Sequence, residues 1–81
     1  MRLDKFLKLS RVIKRRTVAQ EVCKSGRVIV NGRQAKSAYV LKPNDLVSIG
    51  YGDQKFVFRV LSIDEKLLKT KPAEAYEVVN E

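Results

Sequence analysis

The chain has 81 residues, enough for one small domain and too few for a deep enclosed active site. Its net charge of +8 comes from 17 Lys and Arg against 9 Asp and Glu; histidine is absent and there is a single cysteine. These counts argue against an internal disulfide and histidine-based catalysis. The lone Cys23 fits a reducing, cytoplasmic setting, no run of about 18 apolar residues suggests a membrane span, and the basic N-terminus lacks the apolar stretch of a signal peptide.

The charge is one-sided. Residues 1–36 carry eleven Lys or Arg against only Asp4 and Glu21, for +9, whereas residues 37–81 carry six basic and seven acidic residues, for −1. The chain therefore reads as a single domain with a basic part over about 1–36 and a balanced scaffold over about 37–81. A field of this kind favours a polyanion as partner.

Leu3, Phe6 and Leu7 recur with the spacing of a short helix, with Arg2, Lys5 and Lys8 along one side. Asp4 falls in its first turn, where a negative charge suits the helix dipole. The stretch RVIKRRT then gathers Arg11, Lys14, Arg15 and Arg16. Thr17 reads as the N-cap of a second helix, with Gln20 completing a capping box. That helix places Val18, Ala19, Val22 and Cys23 on one face, and Gly26 is the residue expected to stop it. Arg15 and Arg16 would then sit just before a helix N-terminus, a natural place for an anion.

RVIVNGRQA predicts a strand, an Asn31-Gly32 turn and a return strand. Pro43-Asn44-Asp45 predicts another turn, followed by a strand with Leu46, Val47 and Ile49. Gly50 and Gly52 are expected to flank the next turn. KFVFRVLSI reads as a longer strand, with Phe56, Phe58 and Val60 on one face and Val57, Arg59 and Leu61 on the other. Residues 64–74 read as a loop or irregular helical turn, and AYEVV as a last strand or a docked tail. The expected fold is α+β, with two N-terminal helices packed on a small, mainly antiparallel β-sheet.

RLDKFL, followed by KRRTVAQEVCKSGRVIVNG, resembles the RNA-binding domain first described in the fourth small-subunit ribosomal protein. Among free-standing members, MRLDKFLK, SRVIKRRT, QAK and KPNDLV resemble the small bacterial ribosome quality-control factors over nearly the whole chain. The resemblance implies binding to large ribosomal subunits obstructed by peptidyl-tRNA, with contacts to large-subunit ribosomal RNA and to the tRNA. It further implies that the tRNA is stabilised while a partner protein adds a C-terminal alanine tail without mRNA. It implies neither catalytic activity nor a cofactor.

On charge and position, the candidate RNA contacts are Arg2, Lys5, Lys8, Arg11, Lys14, Arg15, Arg16, Arg27, Arg33 and Lys36. Thr17, Gln20 and Asn31 are expected to add hydrogen bonds, although capping and turn formation account for the same three residues. Arg2 and Arg16 match RNA-binding positions of the family. Asp4 would repel a phosphate directly, so an orienting role beside an arginine such as Arg16 is expected. Cys23 reads as buried packing. The six Phe and Tyr residues are scattered and there is no Trp, so structured RNA rather than a single strand is the expected ligand.

Four other readings compete with this one. A DNA-binding helix-turn-helix is disfavoured by the long segment between the helices and by a second helix thin in base-reading side chains. An enzyme is disfavoured by the lack of a phosphate-cradling Gly-rich loop, metal-ligand spacing or a catalytic triad. A heat-shock-type large-subunit rescue factor, or a general ribosomal-RNA assembly protein, stays within RNA binding; the acidic ending argues against the long basic extension typical of the former. A membrane partner is the weakest option, because the basic helix lacks an exposed bulky apolar face. A monomer with no metal is expected.

Overall fold

A computed structural model describes residues 1–51 and 53–79. Helix α1 (Leu3–Leu9) buries Leu3, Phe6 and Leu7 completely, as their spacing predicts. Its N-cap residue, Arg2, makes no side-chain capping bond. The amides of Leu3 and Asp4 donate instead to the carbonyls of Tyr39 and Ser37, at 2.7 and 3.2 Å. The Leu41 amide donates to the Met1 carbonyl at 2.8 Å. The start of α1 is thus tied by backbone bonds to a segment from the other half of the chain.

Helix α2 (Arg16–Lys24) packs against α1 and buries Ala19 and Cys23. Val22 is half-buried, while Val18 is 42% exposed. Gly26 ends the helix as expected. Its φ of 79° allows its own amide to reach the Cys23 carbonyl and the Arg27 amide to reach that of Val22.

Strands β1 (Val28–Val30), β2 (Arg33–Gln34), β3 (Leu46–Tyr51), β4 (Gln54–Val60) and β5 (Tyr76–Val78) form one antiparallel sheet in the order β2-β1-β3-β4-β5. Asn31 and Gly32 both have positive φ, 52° and 82°, as a two-residue hairpin turn requires. Pro43 and Asn44, the latter at φ 76°, make the turn before β3. Gly50 does not flank a turn; it pairs with Lys55 inside the ladder. Gly52 lies outside the described residues.

The register aligns Val28 with Ile49 and Phe56, and Val30 with Val47 and Phe58. This row of side chains faces the helices. Phe58 sits at its centre, stacked on Phe6 with ring centroids 6.1 Å apart and edge-on to Tyr76 at 5.4 Å. Burying a side chain of this kind contributes about 2–3 kcal/mol. The phenylalanines are therefore core residues and not a stacking platform.

Between β4 and β5, where a loop or an irregular helical turn was expected, the helical alternative holds and is more regular than expected. Helix α3 (Glu65–Thr70) is regular, and a 3-10 turn (Pro72–Ala75) follows it. Asp64 caps α3 by accepting from the Lys66 amide at 3.0 Å, and Leu68 anchors it in the core at 1% exposure. One cap and one buried leucine suffice to make a helix of a stretch whose composition is mostly charged. AYEVV resolves as a strand, β5, paired with β4.

Candidate nucleic-acid interface

The first turn of α1 meets the first turn of α2 around one carboxylate. Asp4 is fully buried, yet every one of its polar atoms is satisfied. It accepts from Arg2 Nε at 3.2 Å and Nη2 at 3.3 Å, from the Lys5 amide at 2.8 Å and from Gln20 Nε2 at 3.1 Å. Arg16 Nε lies 3.5 Å from its Oδ2. Burial alone would raise the Asp4 pKa. The hydrogen bonds from Gln20, Arg2 and Lys5, together with the charge of Arg16, outweigh that and hold it below the ordinary 3.8.

One buried negative charge thus faces two guanidinium groups, whose side chains remain 49% (Arg2) and 48% (Arg16) exposed. The cluster keeps a net positive charge. Arg2 is hydrogen-bonded along its Nε–Nη2 edge and Arg16 is ion-paired through Nε; both forks are open to solvent along the rest. A guanidinium held in this way suits bidentate contact with a phosphate. Asp4 thus contacts both arginines, including the pairing with Arg16 that its sequence position suggests.

The expected capping box does not form. The N-cap of α2 is Arg15, in extended conformation, and Thr17 lies inside the helix, where its side chain does not cap. The physical reason is the Asp4 cluster. Arg16 and Gln20 are one helical turn apart, and starting the helix at Arg16 brings both onto the same carboxylate. The first amides of α2 consequently have no side-chain cap, and Arg15, Arg16 and Thr17 flank them, all exposed. An uncapped N-terminus among arginines is an electrostatically favourable seat for an anion.

The other candidates separate into groups. Lys5 turns away from Arg2 and forms an ion pair with Glu65 at the start of α3. Glu65 is held below its usual pKa by the hydrogen bond and charge of Lys5, with help from Lys69. Lys8, Arg11 and Lys14 line a groove of about 490 Å³ at the far end of α1, together with Leu9, Leu68 and Lys69. Lys36 lines a second groove of about 560 Å³, beside Gln20, Lys24 and Gln34. Arg27 and Arg33 are exposed but line neither groove. Asn31 is committed to the fold: its amide donates to Asp45 at 3.0 Å and its carbonyl accepts from the Leu46 amide at 2.9 Å.

Arg11 has a backbone feature its sequence position does not announce. It follows the C-cap of α1, Ser10, and its φ is 64°. Glycine is the usual occupant of such a position, and an L-residue there costs about 1–2 kcal/mol. Buried Ser10 and Ile13 hold the loop on either side, with the Ile13 amide donating to the Leu7 carbonyl at 3.0 Å. Strain of this kind on a cation is one mark of a functional position.

Lys69 and Lys24, which sequence reasoning passed over, also line these grooves. Lys69 belongs to a segment whose sequence suggests a loop or an irregular helical turn, and Lys24 lies on the amphipathic helix α2. Cys23 is buried as expected, and burial, with the Asp4 charge, pushes its thiol up to about 11. No helix among the described residues is long and apolar enough to cross a membrane.

An S4 domain model matches residues 1–47, which contain the whole Asp4 cluster and the basic loop. The chain is 49% identical over all 81 residues to the "RQC P-site tRNA stabilizing factor" of Streptococcus pneumoniae, covering 92% of that protein. It is 46% identical, again over its full length and 92% of the relative, to the protein of the same name from Halalkalibacterium halodurans. The trimeric Vibrio cholerae heat shock protein 15 structure superposes with a TM-score of 0.85 at 22% identity, over 98% of this chain and 81% of the other, a likeness of fold.

Proposed function

The chain belongs to the S4-domain family of RQC P-site tRNA stabilizing factors, and from that premise we propose that it binds large ribosomal subunits obstructed by peptidyl-tRNA. The family is one of non-enzymatic RNA-binding factors that act in ribosome quality control. In the proposed role the protein is a cytoplasmic monomer that contacts large-subunit ribosomal RNA and the tRNA together. It holds the tRNA steady while a partner protein extends the stalled chain with alanine in the absence of mRNA.

The observation that carries this reading is the Asp4 cluster. A buried carboxylate presents Arg2 and Arg16 half-exposed, beside the uncapped start of α2. The mechanism needs no covalent chemistry. Phosphates on a structured RNA engage the oriented guanidinium groups and the first-turn amides of α2, and the rigid core of helices and sheet keeps these donors at fixed spacing. Contacts to two RNA molecules at once give avidity from two modest interfaces. Binding by phosphate neutralisation weakens steeply with salt.

Co-sedimentation with empty large subunits, with large subunits carrying peptidyl-tRNA and with whole ribosomes tests the proposal, at two salt concentrations. Selective, salt-sensitive binding to the tRNA-bearing subunit is the expected result. Equal binding to all three particles would reduce the protein to a general ribosomal-RNA binder. Arg16→Ala is expected to weaken the selective association roughly tenfold, in line with the loss of a charge-assisted contact.

A further inference from the structure

We propose that the groove at the C-terminal end of α1 is a second phosphate-binding site for an RNA backbone, and that Lys69 of α3 is one of its cations. The proposal rests on the RNA-binding reading and adds to it a site, and a residue that lies outside the matched S4 segment.

Lys8 from α1, Arg11 and Lys14 from the following loop, and Lys69 from α3 surround a floor made by Leu9 and Leu68. Among the described residues, no acidic side chain lines this groove. Glu65, paired with Lys5 and within the field of Lys69, offsets only part of this charge; the like charges that remain repel one another, and an anion in their midst relieves that repulsion. The arrangement is built rather than incidental. Leu68 is buried, Asp64 caps α3, and the Lys5–Glu65 ion pair fastens the start of α3 to α1. That pair neutralises the seam at the beginning of α3 and leaves its last turn, with Lys69, as the cationic end. Arg11 keeps its place in a left-handed conformation that disfavours any side chain.

The groove shares no residue with the Asp4 cluster. The two lie at opposite ends of α1, roughly 10 Å apart by helix rise. Phosphates close together on one polyanion can reach both ends at once, which two isolated small anions would do only independently. The lysines contribute charge without fixed geometry, so the site reads backbone and not sequence.

The test compares Lys69→Ala and Lys69→Arg with Arg16→Ala in the full chain. Binding to large subunits carrying peptidyl-tRNA is measured across a series of KCl concentrations. Lys69 is exposed, so its variants are expected to melt like the wild type. Lys69→Ala is expected to lower affinity roughly three- to tenfold and to reduce the salt slope by about one, and Lys69→Arg to restore both. Wild-type affinity and slope in Lys69→Ala, with Arg16→Ala impaired, would overturn the second site and leave the RNA-binding reading standing. Absence of salt-sensitive binding by the wild type would remove both. A second readout uses amide NMR shifts of the wild-type chain on adding a short RNA duplex. Residues 66–71 are expected to shift along with 8–14, and no response at 66–71 overturns the proposal.

Discussion

At the N-terminal end of α1, two arginines are bound to a buried carboxylate; at the C-terminal end, lysines and one arginine stand around a groove that no acid lines among the described residues. Both ends are strongly positive, but they differ in order. Arg2 and Arg16 are fixed by hydrogen bonds and ion pairing, and their positions depend on the interior of the protein. Lys8 and Lys14 are exposed point charges on flexible stems. The first end is suited to specifying where a phosphate sits and the second to strengthening attachment. The contrast also locates sensitivity. Damage to the first end propagates into stability, whereas damage to the second should register mainly in binding.

The largest effect that separates the ends is expected from Asp4→Ala. It leaves two guanidinium groups and Gln20 without their common acceptor and should cost about 2–4 kcal/mol of stability, together with RNA affinity. Chemical denaturation measures the first and co-sedimentation the second. Arg16→Ala should show the reverse balance. With half its side chain in solvent, its pairing contributes under about 1 kcal/mol to the fold, so a stability loss comparable to that of Asp4→Ala would contradict the orienting role assigned to the carboxylate.

At the other end, Arg11→Gly should raise stability by about 1 kcal/mol, because glycine accepts φ 64° without strain. The same change should weaken RNA binding by removing a cation from the groove. A melting temperature that falls would show that the Arg11 side chain stabilises the loop more than its backbone strains it.

A smaller effect follows from pH. The folded-state pKa of Asp4 lies below the ordinary 3.8, so its contribution is complete above about pH 4 and disappears as pH falls through the folded value. Acid unfolding of the wild type should be steeper in this window than that of Asp4→Asn. Matching acid profiles for the two proteins would rule Asp4 out as a source of that dependence.

The α+β architecture was legible because its signals are local. Asn31-Gly32 and Pro43-Asn44 dictate turns through their backbone preferences, and the period-two apolar residues of β3 and β4 set one face inward. What escaped was tertiary. Thr17 and Gln20 have the form of a capping box, but Gln20 gains a buried charged acceptor by reaching Asp4, and that competing bond fixes where α2 begins. Lys5 looks like one of a basic row until Glu65, distant in sequence, is brought beside it. The segment around Leu67 and Leu68 is so charged that its sequence leaves a loop and an irregular helical turn equally open, although Asp64 in front of it is a capping signal for a regular helix. Lys69 disappeared from view with that helix. The pairing of Asp4 with Arg16 was accessible because a single acid on α1, among many basic residues, has few other uses.

The central claim is that Asp4 serves binding by holding Arg16. A double-mutant cycle on affinity for large subunits carrying peptidyl-tRNA tests it most directly, using Asp4→Asn, Arg16→Ala and the pair. If the carboxylate acts through the arginine, Asp4→Asn should cost affinity in the wild-type background and far less once Arg16 is alanine, with a coupling of about 1 kcal/mol or more. Strictly additive losses would mean that Asp4 and Arg16 contribute independently, and would contradict the account.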